Sequence, residues 1–499
     1  MKMIYNVKDK PKFGQLIIFA FQQLLAIMAA TIAVPMIIGN GMSTSAALFG
    51  AGVGTLVYVL FTKGKSPVFL GSSFAFLGAM FAAFSGAATA GLGYVGLIIG
   101  AALAGLVYVV IALIVKFAGV KWINKIMPAV VIGPIVAIIG LSLAGNAIGD
   151  LSKVNYTAPV DMAQVQVVDV DTVNEDGTIT SNPVAVNEDG TVNAGITLTP
   201  DANGDLTAST QPGSPYVAVI CGLVSLAVVM LCSVYGKKMA RLIPFIIGIL
   251  AGYLVATIFY FIGKATGNAA LMVIDYSALI NNFKVIGVSS FIAVPEFSFL
   301  KAFGAFGELN GAYFGTIAAA YVPVAFVVFA EHIADHKNLS SIIEHDLLED
   351  PGLSRTLLGD GVGSMVGAFF GGCPNTTYGE SIGCVAITKN ASVSTIIVTA
   401  CEAIIISFIA PFVAFLSTIP SCVMGGVCIA LYGFIAVSGL KMLQKVDLDD
   451  NRNLFTASVI LITGVGGFIL TFGTITVTTV ACALILGILT NVMLSKKKA

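Results

Sequence analysis

The chain has 499 residues, 57% hydrophobic and only 10% charged, with a mean hydropathy of +0.96. Soluble domains carry about 25% charged residues, so a soluble enzyme or binding module is excluded. A net charge of -1 excludes the strongly basic footprint of a nucleic-acid binder. Four lysines (Lys2, Lys8, Lys10, Lys12) precede a first apolar run at 15–38, which is too long for a signal peptide. Further runs follow at 46–61, 68–84, 94–115 and 127–147, then a polar insertion at 149–215. Apolar character resumes at 216–235 and 242–262, gives way to a semi-polar stretch at 264–311, and returns at 312–330 and 357–370. An irregular segment at 374–388 precedes runs at 393–416, 421–436, 455–470 and 477–494. The longer runs meet the roughly 20 residues needed to cross about 30 Å of hydrocarbon. None alternates with the period of a strand, so the spans are predicted as helices and not as a barrel.

Basic clusters recur at Lys63/Lys65, Lys116/Lys121/Lys125, Lys237/Lys238/Arg241, Lys337/Arg355, Lys389, Lys441/Lys445/Arg452 and Lys496–Lys498. Placing each in the cytoplasm gives fourteen spans, both termini inside, in a multi-pass protein of the cell membrane. The insertion is then outside. It is acidic and repeats Asn-Glu-Asp-Gly-Thr at 174–178 and 187–191. Asp-Gly between β-formers reads as hairpin turns, which predicts a small β-rich cap. Fourteen spans divide into two inverted seven-span repeats. The two polar-interrupted segments, 68–84 and 374–388, then fall at the third span of each half. Such paired interruptions point to a transporter's central site. The eight cysteines all lie in apolar stretches without a CxxC pair, as buried thiols do.

The stretch Pro374-Asn-Thr-Thr-Tyr-Gly-Glu-Ser-Ile-Gly383 puts helix breakers and a carboxylate at membrane depth. Such groups mark function, and irregular backbone there must be buried or line a cavity. Its counterpart is Gly71-Ser-Ser-Phe-Ala-Phe76, where Phe74 and Phe76 could stack on a flat ring. Residues 72–76 and 376–380 are expected to pair briefly as strands. Glu331 and Asp335, spaced i,i+4, share one helix face. His332 and His336 form a second such pair, expected at the cytoplasmic boundary. They lack the Glu directly after the first His that a zinc-protease helix needs, so no metal is expected. Glu402 is an isolated carboxylate in an apolar span.

These motifs, with Gln22-Gln-Leu-Leu-Ala26, Ala330-Glu-His-Ile333, Asp350-Pro-Gly-Leu353, Val423-Met-Gly-Gly426 and Leu431-Tyr-Gly433, resemble the nucleobase–ascorbate transporter family, nearest to its bacterial uracil-permease branch. The resemblance covers nearly the whole membrane part and not the insertion. It implies an all-α polytopic fold with short β-strands in spans 3 and 10. It implies a core domain (spans 1–4 at 14–115 and spans 8–11 at 312–416). A gate domain would comprise spans 5–7 at 126–263, which include the insertion, and spans 12–14 at 421–495. It further implies a non-enzymatic, proton-coupled symporter of uracil or a related nucleobase, with protons as the coupling ion and no other cofactor, embedded in lipid, and it suggests a homodimer. By position, Phe74, Glu331, Gly379 and Glu380 match substrate-contacting residues. Glu331, Asp335 and Glu380 are the expected proton-coupling groups, with Ser73, Tyr378, Ser381 and Thr388 around them. Two departures bear on pH dependence and base identity: Asp335 stands where the branch has His, and Ser381 where the family signature has Asn.

The chemistry is coherent without the resemblance. Uracil offers two N–H donors and two carbonyl acceptors, which a carboxylate and free backbone N–H groups can meet. A carboxylate drawn from water binds a proton more readily, so base and proton can travel together. The rivals are a xanthine or urate permease of the same family, an anion transporter of the same seven-plus-seven architecture, and an intramembrane hydrolase using the two histidines.

Overall fold

The computed structural model describes residues 3–119, 128–173, 179–187, 191–193, 195–200, 206–237, 239–472 and 475–494. The first half begins with α1 (Phe13–Ile38) and α2 (Thr44–Phe61), then a three-residue strand β1 (Leu70–Ser72), a 3-10 turn at Phe74–Phe76, α3 (Leu77–Ser85) and α4 (Ala90–Ala118). After α5 (Ala129–Ser142) and α6 (Ala144–Leu151), the insertion folds into strands β2 (Ala158–Val160), β3 (Gln166–Val173), β4 (Ile179–Val186), β5 (Ile196–Pro200) and β6 (Leu206–Thr210). They form two small antiparallel sheets, β2-β6-β5 and β3-β4. The predicted β-rich character is thus present, while both Asp-Gly turns lie outside the described residues. Next come α7 (Pro215–Tyr235), the one-turn α8 (Met239–Leu242) and α9 (Pro244–Thr266). The connection that follows carries short helices at Ser277–Lys284 and Ser298–Ala302.

The second half opens with the long α10 (Gly311–Ile343) and α11 (Leu353–Gly371). Strand β7 (Asn375–Thr377) leads directly into α12 (Gly379–Thr388). Then follow α13 (Val393–Ile406), α14 (Ala410–Ser417), α15 (Ser421–Leu443), α16 (Asn451–Val465), a β8–β9 hairpin (Leu470–Phe472, Ile475–Val477) and α17 (Thr479–Leu494). Among the described residues, eight helices are long and apolar enough to cross a membrane, and three shorter apolar helices accompany them. Large apolar side chains such as Leu106, Phe117, Leu231, Leu254 and Phe261 face outward, as a lipid-facing surface requires. The molecule is a mostly helical, multi-pass membrane protein.

Local chemistry sets the element ends. Ser43, Thr89 and Asn310 cap α2, α4 and α10 by accepting from Ala46, Leu92 and Tyr313 N–H, satisfying otherwise orphaned donors. Pro215 and Pro244 start α7 and α9, where a missing N–H costs nothing. The apolar run at 393–416 reads as one span, but it is two helices. Pro411 sits in the first turn of α14, and the chain breaks before it. The exposed backbone there is met from the 264–311 connection: Ala293 N–H donates to Phe408 O at 2.9 Å and Ala410 N–H to Phe291 O at 3.0 Å.

Helix α2 packs against α11 and α13, and α4 against α10 and α11; α5 packs against α15 and α16, and α7 against α9 and α15. The α2–α11 contact is backbone on backbone. A Cβ placed on Gly54 would lie 2.7 Å from Gly363 O, and one on Gly363 would lie 2.7 Å from Gly54 O. Only glycine permits that approach, the use of small residues expected between membrane helices. This contact holds α11, and with it β7, at a set depth beside β1.

Candidate functional site

The centre of the site is the β1–β7 pair. The strands run antiparallel with Leu70 opposite Thr377, Gly71 opposite Thr376 and Ser72 opposite Asn375. The expected pairing of 72–76 with 376–380 is therefore corrected by a few residues toward the earlier part of each stretch. Ser73 N–H donates to Pro374 O at 2.9 Å and closes the ladder. Phe74 then turns into the helix that becomes α3, and Gly379 begins α12, so both chains leave the sheet earlier than their composition suggests.

A two-stranded sheet leaves open edges, which within a membrane must be satisfied internally. Neighbouring helices do this. Thr55 on α2 accepts from Leu70 N–H at 2.9 Å and its hydroxyl donates to Leu70 O at 3.2 Å. Asn375 Nδ2 donates to Gly50 O at 3.1 Å, so its side chain points into helix packing. Tyr378 donates its hydroxyl to Ser72 O at 2.6 Å, tying the start of α12 to β1. Ser381 Oγ accepts from Phe69 N–H at 3.0 Å and from Gln23 Nε2 at 2.5 Å. The residue that replaces the family's Asn is thus a buried junction of α1, β1 and α12.

On one side of this pair lies a cavity of about 490 Å³, within the roughly 300–1,000 Å³ of small-molecule sites. Ser73, Phe74, Glu331, Asp335, Tyr378, Gly379 and Glu380 all line it, so seven of the expected residues come together from three separate stretches of chain. Glu331 and Asp335 lie half-buried on one face of α10, and Asp335 Oδ2 accepts from Thr377 Oγ1 at 2.9 Å. Among the described residues none of the three carboxylates is in an ion pair. Glu380 sits in the first turn of α12, where the helix dipole favours negative charge.

Other expectations are placed elsewhere. Phe76 is buried and stacks on Tyr321 with ring centroids 5.6 Å apart, so Phe74 alone of the two faces the cavity. Thr388 donates to Cys384 O at 2.7 Å at the far end of α12 and does not line the site. Nor does Glu402, on α13. His332 and His336 are fully buried and not at a water boundary, because every ring nitrogen has a protein partner.

The opposite wall escaped the sequence reading. Val136 and Ile139 of α5, Phe245 of α9 and Phe434 and Ser438 of α15 complete the cavity. Tyr432 of α15 meets the Phe74 ring edge-on at 6.1 Å. Arg241 of α8 is the cation lining the cavity among the described residues. These residues carry no motif. The one available signal was Arg241's place in a basic cluster between two short-looped spans.

A family model described as "Permease family" matches residues 14–174 and 191–473. The uracil permease of Bacillus caldolyticus is 36% identical over 502 residues, covering 99% of this chain and 95% of that protein. The uracil permease of Escherichia coli (strain K12) is 32% identical over 485 residues, covering 97% and 92%. Among solved structures, the transmembrane domain of the cyanobacterial bicarbonate transporter BicA is similar in fold, with a TM-score of 0.57 at 13% identity over 97% of this chain and 99% of that one. The murine anion transporter Slc26a9 in its inward-facing state gives 0.57 at 11% identity over 97% and 69%.

Proposed function

Because the chain belongs to the nucleobase–ascorbate transporter family of permeases, we propose that it imports uracil together with protons across the cell membrane. The observation that carries this reading is the single cavity in which Phe74, Glu331, Asp335 and Glu380 meet at the end of a broken pair of strands. Glu380 accepts from the ring N–H groups, and N–H groups at the start of α12 serve the carbonyls. Phe74 covers the flat face. Three carboxylates without an ion-pair partner among the described residues supply the groups that take up a proton with the base and release it inside.

In this mechanism the wall formed by α1, α10 and α12 moves against the wall formed by α5, α9 and α15. Packing of α2 with α11 and α13, and of α5 with α15 and α16, supports treating these as a core and a gate. The full arrangement is fourteen spans in two inverted halves, with both termini cytoplasmic and the β-rich insertion outside. An anion carrier is not favoured: the anion transporters share the fold, but here three carboxylates face the cavity against one arginine. A xanthine or urate permease is separated by competition.

In proteoliposomes, labelled uracil is expected to accumulate when the exterior is acidic, to stop on collapse of the pH gradient, and to be displaced by unlabelled uracil but not by xanthine. Gradient-independent accumulation refutes the coupling, and displacement by xanthine refutes the base assignment. A second result tests the cavity. A Cβ on Gly379 meets nothing within 4 Å, so Gly379→Val leaves folding intact and projects into the site. Uptake is expected to fall tenfold or more at an unchanged melting temperature; uptake at the wild-type rate would take Gly379 out of the substrate's path.

A further inference from the structure

Helix α10 carries two i,i+4 pairs one residue out of step. Glu331 and Asp335 face the cavity. His332 and His336 are turned about 100° around the helix and are 0% exposed. They are fully buried polar groups that the transport chemistry does not use. Their bonds run to two other helices. His332 Nδ1 lies 2.7 Å from Asp360 Oδ2 and its Nε2 lies 3.0 Å from Thr356 Oγ1, both on α11. His336 Nδ1 donates to His332 O at 2.8 Å, and its Nε2 lies 2.7 Å from Tyr58 Oη of α2. Tyr58 Oη lies 2.7 Å from Ser66 Oγ in the loop before β1. The two imidazole rings are 4.0 Å apart.

The partners restrict where protons sit. Thr356 donates its hydroxyl to Leu353 O at 3.1 Å, so it meets His332 as an acceptor and Nε2 carries hydrogen. A single proton then lies between His332 Nδ1 and Asp360 Oδ2. Whichever atom holds it, the pair is neutral as a unit, and a neutral, hydrogen-bonded pair is what a fully buried carboxylate requires. Other titratable groups near it are His336, Glu331 and Asp335 on its own helix; from the helices packed against it come Tyr108 of α4, with its ring centroid 6.3 Å from that of His332, and Tyr58 of α2 beside His336. Neither tyrosine adds a charge.

We propose that the His332–Asp360 pair is the positioning element of the site: it sets the rotation of α10 and so aims Glu331 and Asp335 into the cavity. A helix rolled by one residue would bury both carboxylates and expose the histidines. Higher on the helix Tyr321 stacks on Phe76, but around the carboxylates the flanking Ala330, Ile333 and Ala334 are small or apolar and give little directional hold. At this turn the two directional bonds to α11 fix the rotation, together with the Thr377–Asp335 bond. The pair acts through Glu331 and Asp335 and touches no substrate. The same α11 carries Gly363 against Gly54 of α2, so the bolt references the carboxylates to the helix pair that holds the β1–β7 strands.

The proposal rests on the uracil reading above and is tested by a double-mutant cycle on the detergent-purified full chain. Uracil affinity is measured by calorimetry and apo stability by melting temperature for wild type, Asp360→Asn, His332→Gln and the double variant. Each single change is expected to weaken uracil tenfold or more, and the double variant no further than the worse single, because both remove one shared interaction. Wild-type affinity in either single variant, or losses that multiply in the double, overturns the proposal. Apo melting separates positioning from collapse: affinity lost at an unchanged melting temperature is the positioning signature. Where a variant does not fold, Thr356→Val removes only the Nε2 contact and is expected to weaken uracil severalfold; wild-type affinity there overturns the proposal equally. A wild-type chain that ignores uracil but binds another base refutes the substrate reading alone, and the same cycle then runs with that base.

Discussion

Glu380→Gln is expected to lower uracil uptake by two orders of magnitude or more while the protein still inserts and folds. Glu380 is half-buried at the first turn of α12 and lines the cavity beside Gly379 and Tyr378. Its carboxylate presents only acceptors toward a ligand's N–H groups. Glutamine keeps the shape but turns one acceptor into an NH₂ donor, which meets a ring N–H donor head-on. A hydrogen bond to a charged group contributes about 1.5–3 kcal/mol, and an unsatisfied donor left in the site costs about 1–3 kcal/mol more. Together these correspond to roughly a hundredfold or larger loss, at about 1.4 kcal/mol per tenfold. The fold is expected to tolerate the change because among the described residues no ion pair depends on Glu380, and the start of α12 is held by Tyr378 and Ser381. The measurement is calorimetric uracil binding with uptake in proteoliposomes. Binding within threefold of wild type would remove Glu380 from substrate recognition.

The features that announced this site are those that violate the membrane's rules. Pro374, Gly379 and Glu380 could not belong to a lipid-facing helix, so a break with a carboxylate was legible at 374–383. The same logic exposed 71–76 as its partner, and Glu331 with Asp335 followed from helical spacing after a long apolar run. Register was not legible, because it depends on where Thr55 and Asn375 find their partners on other segments, and no local pattern encodes that. The wall of Val136, Phe245 and Phe434 was invisible for a different reason. Apolar residues on apolar helices look identical whether they face lipid, core or substrate. His332 and His336 show the limit most clearly: their spacing put them on one face, but only the fold brings Asp360, from an unremarkable Gly-rich run, against that face. The break between α13 and α14 turned on Pro411, whereas Pro35 and Pro323 lie inside α1 and α10 without ending them.

Glu331→Gln is expected to separate binding from coupling. Glu331 and Asp335 share the cavity-facing side of α10, but they are held differently. Asp335 accepts from Thr377 at 2.9 Å and so has a partner on β7. Among the described residues Glu331 has no such bond to the strands, which leaves it free to change partner in the proposed cycle. Under the proposed proton coupling, a group that must gain and lose a proton in each cycle needs that freedom, and we propose Glu331 as the principal coupling carboxylate. Glutamine mimics its protonated form permanently. Uptake driven by a pH gradient is therefore expected to fall a hundredfold or more. Exchange of labelled for unlabelled uracil across the membrane, which needs no net proton movement, is expected to fall no more than about tenfold, since one neutral hydrogen bond is worth about 0.5–1.5 kcal/mol. Asp335→Asn, which keeps an acceptor for Thr377, is expected to retain gradient-driven uptake at a reduced rate. The two assays on the same vesicles decide the matter. Equal loss of exchange and gradient-driven uptake in Glu331→Gln would reduce Glu331 to a binding residue, and loss of coupling in Asp335→Asn with exchange preserved would move the proton to Asp335.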